Sequence, residues 1–173
     1  QLGDGTVTDR STPVQVMNNI YDISAGDYHS LILRDDGTLW ACGNNLFGQL
    51  GDRDITIDRS TPVQVMSDVQ GMSAGRLHSL ILKKDRTLWA CGYNIYGQLG
   101  DGTTTDHSTP VQVMSGVKSM SAGGWFSLIL RTDGTLWACG DNKYGQLGDG
   151  TTDNHSIPVQ VMSNVRSISA GRM

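Results

Sequence analysis

Residues 24–51 carry the stretch that decides the fold of this 173-residue sequence, SAGDYHSLILRDDGTLWACGNNLFGQLG. Residues 73–100 read SAGRLHSLILKKDRTLWACGYNIYGQLG, and residues 121–148 read SAGGWFSLILRTDGTLWACGDNKYGQLG. The copies start 49 and then 48 residues apart. A fixed period of this length is typical of an array in which each repeat is one supersecondary unit.

Two further motifs extend the repeat over the whole chain. All four prolines open a Pro-Val-Gln-Val-Met segment, at residues 13–17, 62–66, 110–114 and 158–162. Gln1-Leu2-Gly3 is a truncated copy of the Gly-Gln-Leu-Gly motif, and Ser-Ala-Gly returns at 169–171. We therefore interpret 1–173 as one partial domain, with repeats at 1–48 (partial), 49–97, 98–145 and 146–173 (truncated).

Each repeat is predicted to contain four short strands, which in the first copy are 13–17, 20–25, 29–33 and 38–43. Asp36-Gly37 and Asp133-Gly134 lie between the last two strands of their copies and predict a tight type I′ hairpin turn. The second copy has Asp85-Arg86 instead. An arginine at a position that needs positive φ is expected to strain that hairpin by roughly 1 kcal/mol.

The strands alternate poorly between apolar and polar residues, since Leu31, Ile32 and Leu33 are all apolar. A strand that is apolar on both faces needs a sheet packed above and below it, and neighbouring blades of a β-propeller provide those sheets. A β-solenoid is the competing repeat fold, but its coils are usually shorter and need no tight Asp-Gly hairpin. We predict an all-β propeller of four-stranded antiparallel blades.

The combined motifs resemble the repeat of the regulator of chromosome condensation family. The resemblance rests on Ser-Ala-Gly, His-Ser-Leu-Ile-Leu, Asp-Gly-Thr-Leu-Trp-Ala, Gly-Gln-Leu-Gly and Pro-Val-Gln-Val, and it covers the whole chain. It implies a seven-bladed propeller. Proteins of this family serve as nucleotide exchange factors for a small nuclear GTPase, β-lactamase inhibitors, ultraviolet sensors in plants and exported bacterial proteins, so the fold transfers and the function does not.

Two of these functions are not expected here. The resemblance to ultraviolet sensors would require a tryptophan cluster after Ser-Ala-Gly, and only Trp125 stands there, against Tyr28, Leu77 and Met173 in the other copies. The resemblance to exchange factors would require a wedge loop and basic regions, which this sequence lacks. Family repeats also often carry an aromatic residue at the positions of Cys42, Cys91 and Cys139.

The number of blades bears on how the ring could close. Fourteen predicted strands make about three and a half blades, half of a seven-bladed ring that would take about 336 residues. Two half-rings could pair, but each junction would then lack the counterpart of 29–48. The alternative, which we expect, is that the chain is a piece of a longer protein whose open propeller edges can self-associate.

Composition argues against two classes of partner. The net charge is −4, and only 17% of residues are charged, so the basic footprint of a nucleic-acid-binding protein is missing. No apolar run approaches the ~18 residues of a membrane span. We expect neither nucleic-acid binding nor membrane insertion.

The sequence offers no catalytic, cofactor or metal site. Each Cys stands in the same setting of its copy and is expected to be a buried free thiol, because equivalent atoms of adjacent blades are too far apart for a disulfide. His29 and His78 are replaced by Phe126 in the third copy, which indicates a structural role. His107 and His155 are expected to be solvated. Asp4–Asp9 and Asp101–Asp106 are interpreted as Asx turns and not as cation loops.

Variation between copies is concentrated in loops, where repeat scaffolds usually bind their partners. The residues after Ser-Ala-Gly differ most, and aromatic and arginine side chains are the types that anchor interfaces. The predicted binding residues are Asp27, Tyr28, Arg76, Leu77, Trp125 and Lys143. The competing interpretation is that these loops vary without any function.

The resulting hypothesis is a noncatalytic scaffold that binds an unidentified protein partner through its inter-strand loops. One alternative is a propeller subdomain that contributes to an enzyme, exchange-factor or inhibitor activity of a larger protein. Another is a purely structural repeat. The resemblance to exported bacterial proteins favours an extracellular or cell-surface location.

Overall fold

Three four-stranded antiparallel sheets form the computed structural model, which describes residues 1–54 and 57–172. The first blade contains β1 (Ile20–Ala25), β2 (His29–Arg34), β3 (Leu39–Gly43) and β4 (Arg59–Met66). The second contains β5 (Val69–Ala74), β6 (His78–Lys83), β7 (Leu88–Gly92) and β8 (His107–Met114). The third contains β9 (Val117–Ala122), β10 (Phe126–Arg131), β11 (Leu136–Gly140) and β12 (His155–Met162). The predicted all-β architecture of four-stranded blades is confirmed.

The described residues form twelve strands, two fewer than expected. The prediction of a strand at 13–17 is wrong, because that segment has no strand structure. The same motif at 62–66 does form a strand, where it pairs with β3 as the fourth strand of the first blade. Nothing before residue 13 in the sequence corresponds to β3, so the backbone of 13–17 has no such strand to pair with.

The blades are offset from the sequence repeats. Within the first repeat, residues 20–43 supply three strands, and the fourth strand, 59–66, comes from the next repeat. The same arrangement returns in the second blade. Each Pro-Val-Gln-Val-Met segment therefore closes one blade before the chain enters the next, which ties successive blades together through the backbone.

The hairpin turns differ from the predicted type. Gly37 N donates to Arg34 O at 2.9 Å, and Gly37 has φ of 81° while Asp35 and Asp36 keep negative φ. This is a type I turn followed by a left-handed residue, and not the predicted type I′ turn. Asp36 Oδ1 accepts hydrogen bonds from Thr38 N and Thr38 Oγ1. Arg86 adopts φ of 66° in the second copy, as expected for a residue at the glycine position.

Apolar packing joins the first blade to the second. Leu31, Leu33 and Leu39 of the first blade form one buried cluster with Met72 and Ile81 of the second. An equivalent cluster joins the second and third blades through Leu80, Leu82, Leu88, Val117 and Ile129. Both faces of the middle strands of the second blade are thus covered, which is the arrangement that the poor alternation predicted.

A buried hydrogen-bond chain crosses each of these interfaces. His29 Nε2 lies 2.9 Å from Ser79 Oγ, which in turn donates to Gln49 O at 2.7 Å. His78 and Ser127 repeat the contact at the next interface. Because the serine proton goes to the carbonyl, the histidine Nε2–H must be the donor to the serine oxygen. Burial lowers the pKa of His29 to about 4 and that of His78 to about 3, so both imidazoles are neutral structural groups, in agreement with the interpretation of these residues.

The glycine of Ser-Ala-Gly is required by a close approach between blades. A Cβ on Gly26 would lie 2.4 Å from Gly75 O, and one on Gly75 would lie 2.7 Å from Gly123 O. The ring at the start of the following strand also packs on this glycine: a Cβ on Gly26 would lie 2.7 Å from His29 Cε1. Only glycine fits where the innermost loops converge.

The three cysteines are buried and free, as expected. Cys91 Sγ lies 3.7 Å from Gln49 O, the carbonyl that also accepts from Ser79. Burial raises the pKa of Cys91 and of Cys139 to about 12. These thiols are packing groups at the blade interfaces.

Replacement of Arg86 by glycine is predicted to stabilise the protein. The left-handed conformation costs a non-glycine residue about 1 kcal/mol, so Arg86→Gly should raise Tm by roughly 2–4 °C in differential scanning calorimetry. Gly134→Arg is the matched reverse change, since a Cβ there meets no atom closer than 3.8 Å. It should lower Tm by a similar amount; an unchanged Tm in both variants would contradict the strain at this position.

The stability of the fold is predicted to fall in mild acid. Burial lowers the pKa of His29 to about 4 and that of His78 to about 3, against 6.5 for an ordinary histidine. Below pH 6.5 these two histidines are therefore protonated in the unfolded chain but stay neutral in the folded chain until the pH reaches their lowered pKa. Each histidine should remove about 1.4 kcal/mol of stability per pH unit between 6.5 and its folded pKa, and none above pH 6.5.

The double variant His29→Phe/His78→Phe tests this assignment, because Phe126 occupies the same position in the third blade. Urea midpoints should be measured at pH 7.5, 6 and 5 for both proteins. The wild-type midpoint should fall over this range, and the variant should lose most of that dependence while keeping the other two histidines. Equal slopes in the two proteins would show that other groups control the acid sensitivity.

Candidate functional site

Two ends of the blades carry very different connections. In every blade, the connection between the first two strands and the connection between the last two strands emerge at the same end. In the first blade, Asn44 N donates to Tyr28 O at 2.8 Å and joins the two connections. We call this end the loop face; its described parts are 26–28, 44–54, 57–58, 75–77, 93–106, 123–125 and 141–154. The opposite end, the turn face, holds only short connections: 35–38, 67–68, 84–87, 115–116 and 132–135.

A buried asparagine organises each long loop of the loop face. Asn94 Oδ1 accepts from Leu99 N at 2.9 Å, while its Nδ2 donates to Asp101 Oδ1 and to the carbonyls of Thr103 and Thr105. Asn45 and Asn142 make the equivalent bonds in the other blades. Sequence reasoning missed these asparagines, although they are identical in all three copies. They hold the loops in one conformation, which gives the loop face a defined surface.

The aspartates of these loops and of the equivalent segment 4–10 are structural. Asp4 Oδ1 accepts from Thr6, and Asp4 Oδ2 accepts from Arg10 Nε at 2.7 Å, so hydrogen bonds from Thr6 and Arg10 lower the pKa of Asp4 to about 2. Asp101 lies 2.7 Å from His107 in the same way. The interpretation as Asx turns is confirmed for both loops. The expectation that His107 and His155 are solvated is wrong, because both are partly buried against an aspartate, His155 against Asp149.

Four aromatic side chains from three blades meet on the loop face. We call them the aromatic ridge: Phe47, Tyr93, Tyr96 and Trp125. The ring centroids of Phe47 and Tyr93 are 4.7 Å apart, and Trp125 lies 5.4 Å from Tyr93 and 5.9 Å from Tyr96. These distances are those of favourable edge-to-face pairs. The neighbouring groups and partial burial raise the pKa of Tyr93 above its ordinary value, with burial the main cause.

Charged groups continue the aromatic ridge towards the propeller axis. The Arg76 guanidinium lies 4.6 Å from the Trp125 ring centroid, within the range of a cation–π contact. Arg76 Nε lies 3.5 Å from Asp27 Oδ2, and Arg172 Nη2 donates to the same oxygen at 2.9 Å. One carboxylate thus serves two guanidinium groups that come from loops far apart in sequence.

These charges stand at the rim of a small cavity that we call the axial recess. The first strands of neighbouring blades contact each other, so the loops that follow them surround the axis. The recess is lined by Ala25–Asp27, Ala74–Arg76, Ala122–Gly124 and Ala170–Arg172, and its volume is about 170 Å³. This is below the ~300–1,000 Å³ of pockets for small molecules. It has room for a side chain and not for a cofactor.

The structure brings together three of the six predicted binding residues. Asp27, Arg76 and Trp125 form one continuous group, as described above. Tyr28 is 43% exposed and lines a separate groove of about 350 Å³ beside the first blade. Lys143 is exposed and lies over Tyr144 at 5.6 Å. Leu77 follows Arg76 in the loop and is partly buried. Met173, the counterpart of Tyr28, lies outside the described residues.

Four members of the group were missed by sequence reasoning: Phe47, Tyr96, Tyr93 and Arg172. Tyr93 and Arg172 do stand at positions that vary between copies. Phe47 and Tyr96 sit at one aromatic position that repeats in every copy, as Tyr144 does in the third. An aromatic residue that recurs at the same loop position in all three copies was the signal available in the sequence.

The described residues contain no cluster of three or more His, Cys, Asp or Glu side chains suited to a metal ion. Within the same residues, no helix is long and apolar enough to cross a membrane. The aspartates and asparagines described above are engaged in turns and ion pairs. What the face offers chemically is a rigid surface of aromatic rings, guanidinium groups and one shared carboxylate.

Solved structures share this architecture. The crystal structure of Prp20p from Saccharomyces cerevisiae matches with a TM-score of 0.81 at 23% identity, over 89% of this chain and 42% of that one. Human WBSCR16 matches with a TM-score of 0.87 at 20% identity, over 98% of this chain and 48% of that one. A structure of Kap60 bound to yeast RCC1 (Prp20) matches with a TM-score of 0.77 at 26% identity, over 92% and 41%.

This chain therefore spans less than half the length of each of these three solved chains. Two models of the regulator of chromosome condensation (RCC1) repeat also match its sequence. One covers residues 20–49, 69–98 and 117–146, and the other covers 36–82, 85–130 and 133–173. The second model alone accounts for most of the chain. The protein belongs to the regulator of chromosome condensation repeat family.

Proposed function

We propose that this protein is a noncatalytic interaction module that binds a protein partner through its loop face. The single observation that carries the proposal is the aromatic ridge with its stacked Arg76, which crosses three blades. Tyrosine, tryptophan and arginine are the side chains that most often dominate binding energy at protein interfaces. The strands beneath them supply a rigid support that binding does not need to order.

Relatives of the same fold are consistent with this proposal. Prp20p is a protein with binding properties to Gsp1p and histones, and yeast RCC1 (Prp20) has been captured with Kap60. These partners belong to those proteins. For this chain they support a role in protein binding, and the partner stays unidentified.

The enzyme alternative finds no supporting observation on the loop face. The candidate nucleophiles of the blades, the cysteines, are buried at interfaces, where burial raises the pKa of Cys91 and Cys139. Thiols of high pKa are poor nucleophiles. The polar side chains that recur in every blade serve the scaffold, as Ser79 and Asn94 show.

Self-association is proposed through the open side of the first blade. Tyr21 and Ile23 are each 70% exposed, and a groove of about 460 Å³ lies between the first blade and 14–17. The counterpart of Ile23 in the second blade is Met72, which is buried against the first blade. Leu128, on the open side of the third blade, is the counterpart of Leu31. In a second copy, Leu128 of the third blade could therefore contact Ile23 of the first blade, as Leu31 contacts the cluster with Met72 within one chain.

Loss of the loop-face side chains is predicted to abolish partner binding. The triple variant Tyr28→Ala/Arg76→Ala/Trp125→Ala removes the exposed anchors without touching a strand core. Proteins captured by the wild-type chain and by the variant should be quantified by mass spectrometry. The amount of the specific partner captured by the variant should be at least tenfold lower. Circular dichroism and Tm confirm that it folds.

The matched control lies on the turn face, where Lys84→Ala/Arg86→Ala/Asp133→Ala changes three exposed residues. It should retain the same partner. Equal capture by all three proteins would contradict the proposal, and loss in the turn-face variant alone would move the binding surface to the opposite end. Unchanged capture with a lost catalytic turnover in a larger assembly would favour the enzyme alternative.

A charge on the open side of the first blade is predicted to prevent self-association. Ile23→Asp places a carboxylate on the exposed apolar groove, whereas Ile157→Asp changes another exposed isoleucine, on β12. Sedimentation velocity should show a concentration-dependent mass above 18.7 kDa for wild type and Ile157→Asp, and the monomer for Ile23→Asp. A wild-type monomer at all concentrations would refute the proposed contact.

A further inference from the structure

The axial recess combines a net positive charge with hydrogen-bond donors that have no acceptor among the described residues. Among the described residues that line it, Asp27 is the only carboxylate, and it faces Arg76 and Arg172, so the lining carries a net charge of +1. Arg76 Nε is buried and has no hydrogen-bond partner among the described residues. A guanidinium group carries five donors, and the shared carboxylate can satisfy only a few of the ten present.

The exposure of the three groups shows which of them can reach a ligand. The side chain of Asp27 is 14% exposed, that of Arg76 is 40% exposed and that of Arg172 is 78% exposed. The carboxylate therefore lies below the two cations. A ligand that approaches along the axis meets guanidinium groups first.

Carboxylates of the long loops do not line the axial recess. Asp52 is paired with Arg59 at 2.6 Å, and Asp149 with His155 at 2.7 Å, inside their own loops. Asp106 accepts from Asn94 N. Their oxygens are used to hold loop structure. The two arginines at the recess are the charged groups with free donors next to the aromatic ridge.

Resting on the interaction function proposed above, we infer that the axial recess binds a carboxylate side chain of the protein partner. The carboxylate accepts from Arg76 and Arg172, and apolar side chains beside it in the partner pack on Trp125 and Tyr96. Arginine forks match a carboxylate in a bidentate geometry, and such charge-assisted bonds are among the stronger ones in proteins. The recess volume of about 170 Å³ suits one acidic side chain.

Asp27 has a definite place in this arrangement. In the free protein it occupies the donors that the ligand needs, so the partner's carboxylate competes with an internal one. Removal of the Asp27 charge should therefore strengthen binding of an acidic segment. A basic segment would use Asp27 as its ligand, and the same change would weaken it. The sign of this effect separates the two possibilities.

The test uses blocked pentapeptides with a central glutamate, glutamine or lysine flanked by leucines. They are titrated into the 173-residue chain, and the side-chain N–H signals of Arg76, Arg172 and Trp125 are followed by nuclear magnetic resonance. The glutamate peptide should bind with a Kd on the order of 1 mM and at least tenfold more tightly than the glutamine peptide. Asp27→Asn should tighten it several-fold, and Arg172→Gln should weaken it about tenfold.

Controls keep the proposal falsifiable. Arg34→Gln alters an arginine paired with Asp36 near the turn face and should leave binding unchanged. Inorganic phosphate and acetate are each titrated as competitors of the bound glutamate peptide. If phosphate displaces the peptide at a lower concentration than acetate does, the recess binds phosphate groups and the proposal of a carboxylate ligand is wrong. Equal affinity for glutamate and glutamine, tighter binding of the lysine peptide, or weaker binding in Asp27→Asn would also overturn it.

These outcomes are separable from those of the proposed function. If the loop-face triple variant loses its partner while the pentapeptides show no charge preference, the interaction role stands and the acidic ligand is wrong. If neither experiment shows binding, both proposals fall together.

Discussion

Each blade depends on its neighbour, because the middle strands are apolar on both sides and cannot be covered within one sheet. Leu31 and Leu39 are completely buried only because Ile81 and Met72 of the next blade lie against them. A four-stranded sheet with one such face exposed to water would lose a large part of its burial free energy, at roughly 25 cal/mol per Å² of apolar surface. Stability and register are therefore properties of the interfaces between blades.

Polar groups at these interfaces make the packing specific. Gln49 O accepts from Ser79 and from Cys91 of the next blade, and Gln98 O does the same one blade later. A carbonyl in a buried interface must find donors, so it fixes the relative height of two blades. This explains why the Gly-Gln-Leu-Gly motif is repeated almost without change. It also explains why chemistry that differs between copies is confined to the ends of the strands.

Sequence reasoning predicted what depends on local pattern. The strand 20–25, the position of the hairpin at Asp36-Gly37 and the structural role of His29 and His78 follow from periodicity, turn residues and the replacement of histidine by Phe126 in the third copy. The prediction of a strand at 13–17 was wrong, because residues 1–12 contain no counterpart of β3 with which this segment could pair. The aromatic ridge was only partly found, since Phe47, Tyr93 and Trp125 come from three copies and meet through the rotation between blades, which no spacing in the sequence records.

The same dependence fixes the loops that carry the aromatic ridge. Gly48 and Gly97 pack against Ser108 and Ser156 of the following blade. The aromatic ridge spans the two interfaces that the three blades form with one another, and Phe47, Tyr93 and Tyr96 rest on loops fixed by the buried Asn45 and Asn94. Its geometry is therefore set by contacts that are all present, and for that reason it can serve as a preformed binding surface.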